Sequence, residues 1–188
     1  MWRAIWLFAA IILTMPGAWA EPVSDCSRVE PSLERTLCLE VTVPANASAV
    51  WALWSAPEQL RTWLAPVATI ELRPGGMMEA TYDASGRLGD DSNILNRIVS
   101  IAPQHSFAIQ VARPPPGFPH PDEARELVTF IEFEPVDAAS TRVRVPMFGD
   151  REGVAFDELY AFFARGNAWT LAKLRERVAD GPVDWTLQ

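Results

Sequence analysis

Between residues 39 and 43 apolar and polar positions alternate strictly. Leu39, Val41 and Val43 fall on one side and Glu40 and Thr42 on the other, which predicts a half-buried strand ended by Pro44. Asn46 or Ser48 can then cap a helix carrying Val50, Trp51, Leu53 and Trp54. Pro57 opens a second short helix through Leu60, Trp63 and Leu64. Strand patterns follow in quick succession over residues 69–73, 77–82, 93–101, 106–112, 126–134 and 141–148. Turn chemistry separates them: Pro74-Gly75-Gly76, then Asp83-Ala84-Ser85-Gly86, Ala102-Pro103-Gln104 and Asp137-Ala138-Ala139-Ser140. Residues 114–119, with four prolines, form a stiff loop that cannot enter a sheet.

From residue 154 to about 180 no proline interrupts the chain, and Phe156, Tyr160, Phe163, Leu171, Leu174 and Val178 recur at three- and four-residue spacing. That stripe predicts one long amphipathic helix, widened by Leu159, Phe162 and Trp169 and stopped by Gly181-Pro182. Gly166, in its middle, costs about 1 kcal/mol relative to alanine and is expected to mark a bend or close packing against the sheet. A strand, two short helices, a run of six to seven antiparallel strands in all and one long C-terminal helix make an α+β order. There is no internal repeat.

The first twenty residues differ in kind. Arg3 makes a short basic segment, residues 4–14 are continuously apolar, and Ala18-Trp19-Ala20 supplies small residues where signal peptidase reads. A signal peptide over residues 1–20, cleaved after Ala20, is expected, with a periplasmic or secreted product and no stable membrane insertion after cleavage. Cys26 and Cys38, the two cysteines of the chain, then read as one structural disulfide. In the chain-entropy account such a bridge contributes about 3 kcal/mol. Residues 21–38 form an irregular arm tied by it, residues 39–181 the domain, and residues 182–188 a tail.

At 188 residues, with 49% hydrophobic and 21% charged side chains, the chain can bury a real core as one domain. The net charge of −8 argues against a nucleic-acid partner, which needs a basic stripe. Removing residues 1–20 takes away only Arg3 among charged groups, so the remainder is more acidic still.

Several ordered motifs carry a resemblance. Val43-Pro44-Ala45, Val50-Trp51, Ala56-Pro57-Glu58-Gln59-Leu60 and Trp63-Leu64-Ala65-Pro66 resemble the opening of the activator-of-heat-shock-protein-ATPase homologue family. Glu71-Leu72-Arg73-Pro74-Gly75-Gly76 resembles its strand and double-glycine turn, Ile98-Val99-Ser100-Ile101-Ala102-Pro103 its middle strand, and Ser140-Thr141-Arg142-Val143 its penultimate one. Gly166, Trp169, Leu171 and Leu174 resemble the final helix, with two departures: Asn167 stands at the expected aromatic position and Trp169 comes two residues late. The resemblance implies the START-like (SRPBCC) helix-grip fold, a curved antiparallel sheet wrapped on the C-terminal helix. It carries over no catalytic residue, and the chaperone partner in the family's name is one an exported protein would not meet.

A sheet gripping a helix leaves a cavity wherever the facing side chains do not fill the gap. The residues expected to face a ligand there are Trp54, Trp63, Met78, Tyr82, Asn96, Phe107, Thr129, Ile131, Phe156, Tyr160 and Phe163. The competing expectation is that the same stripes pack a dry core. Trp54 and Trp63 either close the cavity mouth or anchor the packing. The expected partner is a small hydrophobic or amphipathic molecule, with no cofactor and no metal, since His105 and His120 lack ligand spacing. A cyclase- or aromatase-like enzyme is the alternative, with Tyr82, His105 and Tyr160 as acid/base groups. A protein-interaction module using the acidic surface and the proline loop is another. Glu132 and Glu134 share one strand face, as a carboxylate pair or a solvated outer surface.

Overall fold

The computed structural model describes residues 22–29 and 34–187. The signal-peptide reading of residues 1–20 lies outside them. The fold is α+β: one antiparallel sheet of nine strands and a long C-terminal helix. Seven strands make its body: β3 (Arg35–Val43), β4 (Val67–Ile70), β5 (Met77–Thr81), β6 (Ile94–Ala102), β7 (Ser106–Arg113), β8 (Val128–Pro135) and β9 (Thr141–Phe148). The two beyond the expected six to seven are β1 (Ser24–Asp25) and β2 (Arg28–Val29), both drawn from the arm and both paired with β3. Along the sheet the order is β1-β3-β9-β8-β7-β6-β5-β4, with β2 also on β3.

The arm is ordered by local chemistry that alternation cannot reveal. Cys26 and Cys38 are disulfide-bonded, Cys26 N–H donates to the Cys38 carbonyl at 2.9 Å, and Cys38 N–H donates to Ser27 Oγ at 2.9 Å. The same contacts explain why β3 starts at Arg35, four residues before the alternation begins. Its first half is covered on both faces, Leu37 by a core cluster and Cys38 by the arm, so the pattern there is not half-buried. Arg35 further ties this end to the loop before the long helix through Asp150 at 2.5 Å and to the helix's first turn through Asp157 at 2.7 Å.

Helix α1 (Ala47–Ser55) begins at Asn46, whose side chain accepts from Ala49 N–H at 2.9 Å. Helix α2 (Pro57–Leu60) has proline at its start, where a missing N–H costs nothing. A single-turn helix, α3 (Pro121–Ala124), follows the proline loop and was not expected. Helix α4 (Val154–Asp180) has the bounds its periodicity predicts, and its 27 residues span about 40 Å. The tail returns to the domain: Val183 is buried and donates its N–H to the Thr62 carbonyl at 2.8 Å.

Two features bend the sheet around α4. The β6–β7 register shifts between Leu95 and Asn96 and again between Ile98 and Ser100, and such bulges increase local twist. Between β8 and β9 the pairing lapses from Thr129↔Met147 to Glu132↔Arg144, where Pro146 has no N–H to give. On the outer face Arg144 lies between Glu40 at 3.4 Å and Glu132 at 3.6 Å, and Arg142 meets Glu134 at 3.2 Å. The two glutamates are thus members of a cross-strand ion-pair ladder.

Candidate ligand-binding site

Helix α4 grips the sheet at two places. Near its start Phe156 and Leu159 pack with Leu37, Leu127 and Met147, and further along Leu171 and Leu174 join the larger cluster around Trp54, Trp63 and Phe107. Between them the apolar stripe lapses for a turn, at Gly166, Asn167 and Thr170. There the concave sheet and the helix do not meet, and a cavity of about 390 Å³ remains. That volume lies within the range of small-molecule sites. Gly166 is the clearest cause: a Cβ built on it would meet nothing within 4 Å. Of the two expectations for this glycine, a bend or close packing against the sheet, the second is therefore overturned: it borders open space.

The walls are mostly apolar. Met78 and Ala80 come from β5, Ile94 and Asn96 from β6, Ile109 and Val111 from β7, Thr129 and Ile131 from β8, and Val145 from β9. Trp54 and Leu64 add to the wall from the segment of the two short helices, and Phe162, Phe163, Asn167, Trp169 and Thr170 line the helix side. Pro114 and Phe118 of the proline loop complete the wall, because Phe118 docks on Phe162 and Phe163 with ring centroids 4.8 and 6.0 Å away. His120, beside α3, holds the same loop through Nε2 to Glu158 at 2.7 Å. At the rim stand Tyr82, 52% exposed, and Trp169, 37% exposed, in edge-to-face contact at 5.1 Å.

No lining residue carries a formal charge. The polar groups are Tyr82, Asn96, Thr129, Asn167, Thr170 and the Trp54 and Trp169 indoles. Apolar neighbours push the Tyr82 phenol above its ordinary value of 10.0 although half its surface is open to water, so it stays protonated at neutral pH. Two lining donors, Trp54 Nε1 and Asn167 Nδ2, are buried without a hydrogen-bond partner. Among the described residues no His, Cys, Asp or Glu cluster could hold a metal ion, and no helix is long and apolar enough to cross a membrane.

Of the residues expected to face a ligand, the cavity wall includes Trp54, Met78, Tyr82, Asn96, Thr129, Ile131 and Phe163. The other four lie elsewhere. Trp63 is fully buried, donates Nε1–H to the Leu53 carbonyl at 2.9 Å and packs edge-on against Trp54 at 4.6 Å. Phe107 stacks on Phe133 at 6.3 Å inside the aromatic cluster. Phe156 belongs to the core at the start of α4, and Tyr160 packs there too, with the Arg35 guanidinium 5.1 Å from its ring centre. His105 is exposed on the β6–β7 turn and does not line the cavity. The reading of the sequence missed Gly166, Asn167 and Thr170, whose signal was the one lapse in the stripe of α4.

The sequence matches the Activator of Hsp90 ATPase homolog 1-like protein family over residues 44–179. The chain belongs to this family. All of the cavity wall falls inside the matched segment, and the arm with its disulfide precedes it. Many solved structures resemble the fold, three of them as follows. An Aha1 dimer from Colwellia psychrerythraea is 13% identical at a TM-score of 0.60, covering 78% of this chain and 97% of that one. CalU16 from Micromonospora echinospora is 14% identical at a TM-score of 0.60, covering 89% of this chain and 90% of that one. A Thermobifida fusca protein is 19% identical at a TM-score of 0.57, covering 78% and 94%. At these identities the likeness is one of fold. No curated protein matches the chain.

Proposed function

We propose that the protein is an exported carrier that holds a small apolar or amphipathic molecule between sheet and helix, without covalent chemistry. The observation that carries this reading is the cavity itself, about 390 Å³ with apolar walls and a few polar groups. Membership of the family is in keeping with it. Of the three acid/base groups an enzyme of this fold could use, Tyr82 alone lines the cavity, and burial favours its neutral form. That supports binding over proton transfer. The disulfide fits an oxidising compartment and supports a periplasmic or secreted location.

Native mass spectrometry of protein purified from an exporting host tests this. A discrete small-molecule increment, lost on denaturation, is the expected result. Protein that stays empty after incubation with lipid and aromatic mixtures would overturn the carrier reading. The denatured, non-reduced mass reports signal cleavage and the disulfide in the same run.

A further inference from the structure

The cavity wall has an unmet chemical demand of one sign. Among the described residues its buried side-chain atoms without a hydrogen-bond partner are Asn167 Nδ2 and Trp54 Nε1, and both are donors. A buried donor left unpaired is unfavourable, and a ligand bearing an acceptor relieves that. Asn167 is the better placed to respond. It lies on α4 beside Gly166, where the helix faces open space, and the terminal torsion of an asparagine is broad, so the amide can turn toward an acceptor. The wall carries no cation, so an anionic ligand would be desolvated there without a counter-charge, and two neutral donors offset only part of that cost. No lining carboxylate is present to attract a cationic ligand either.

We propose that Asn167 is a specificity-determining residue that selects an uncharged, largely apolar ligand presenting a carbonyl oxygen, a ketone or ester rather than a free acid or a hydrocarbon. This rests on the cavity being the ligand site. Asn167 acts by donating Nδ2–H to that oxygen, and Trp54 Nε1 is the second donor of the same wall. Methyl and methylene groups of the ligand fill the apolar space between Met78, Ile109 and Phe163.

Three probes on one aromatic frame test it: 2-acetylanthracene, 2-ethylanthracene and anthracene-2-carboxylate. Each is titrated into the exported protein and followed by its own fluorescence. The ketone is expected to bind at least about tenfold more tightly than either of the others, the scale of one buried hydrogen bond. In Asn167→Leu the ketone's advantage over the ethyl compound should vanish while binding of the ethyl compound holds or improves. Asn167→Gln, which keeps the donor, should retain part of it. Equal binding of ketone and ethyl compound by the unmodified protein would overturn the role of Asn167, and so would a ketone preference that survives Asn167→Leu. A carboxylate bound as tightly as the ketone would overturn the exclusion of charge. If none of the three binds, this inference fails, while the carrier reading stands or falls separately on the native mass spectrometry with lipid and aromatic mixtures. The comparison within the unmodified protein needs no variant to fold.

Discussion

Gly166 is the position where stability and ligand capacity should separate. It sits in the interior of α4, and a Cβ added there meets nothing within 4 Å. Gly166→Ala therefore gains helix propensity without a steric cost, about 0.5–1 kcal/mol. For a domain of this size each kcal/mol moves the melting temperature by about 2–4 °C, so a rise of about 1–4 °C is expected. Gly166→Phe goes further and directs a ring into the cavity. Where a core is already packed, added bulk costs about 1–3 kcal/mol. Here the void of about 390 Å³ accommodates it, so the melting temperature should hold within about 2 °C. Uptake of any small-molecule increment should fall sharply at the same time. Calorimetry on both variants and native mass spectrometry on Gly166→Phe are the assays. A drop in melting temperature for Gly166→Ala, or unfolding of Gly166→Phe, would show that the helix is packed at this turn and refute the argument that the glycine makes the cavity.

Three further outcomes follow from contacts described above. Replacing both Cys26 and Cys38 by serine should remove about 3 kcal/mol, a fall of about 6–12 °C in thermal melts, because the unfolded chain regains the freedom the bridge denies it. Trp63→Phe leaves the Leu53 carbonyl without its donor and should cost at least about 1 kcal/mol more in urea unfolding than Trp54→Phe, whose indole N–H has no partner to lose. With Tyr160→Phe, Tyr82 is the remaining tyrosine of two, and its absorbance titration should have a midpoint above 10.0. The folded pKa being the higher one, the folded state retains the proton longer than the unfolded, so Tyr82 makes stability decline as pH rises past 10.0. A midpoint at or below that value would remove the effect.

Elements whose faces differ in polarity were legible from the chain. Strand β9 and helix α4 carry the bounds their patterns predict, because the first half of β9 and the length of α4 each set a more buried face against a less buried one. The start of β3 was not, since Leu37 and Cys38 are covered from opposite sides and alternation has nothing to report. Strands β1 and β2, two residues each, are shorter than any period can be read over, and tertiary contacts alone order them. In the site, parity turned Met78, Thr129 and Ile131 inward, where they line the cavity, yet it turned Phe107 inward equally. Whether an inward residue meets a cavity or a neighbour depends on where α4 lifts from the sheet. That was written in an absence, the turn at Gly166, Asn167 and Thr170, and stripes are read by what they contain.

The short arm strands have a further meaning for the chain in company. Strand β3 is nine residues long and, without β1 and β2, would form the border of the sheet. Such a border offers a row of free peptide groups to any passing strand, and it is the usual starting point for association between copies. The opposite border, β4, has only four residues, too few to recruit a neighbour well. The sulfur bridge through Cys38 clasps the arm over the long border at its middle. Reduction therefore does more than loosen a loop: among the described residues it unlatches the cover from the longer border of the sheet, the one with length enough to template another strand.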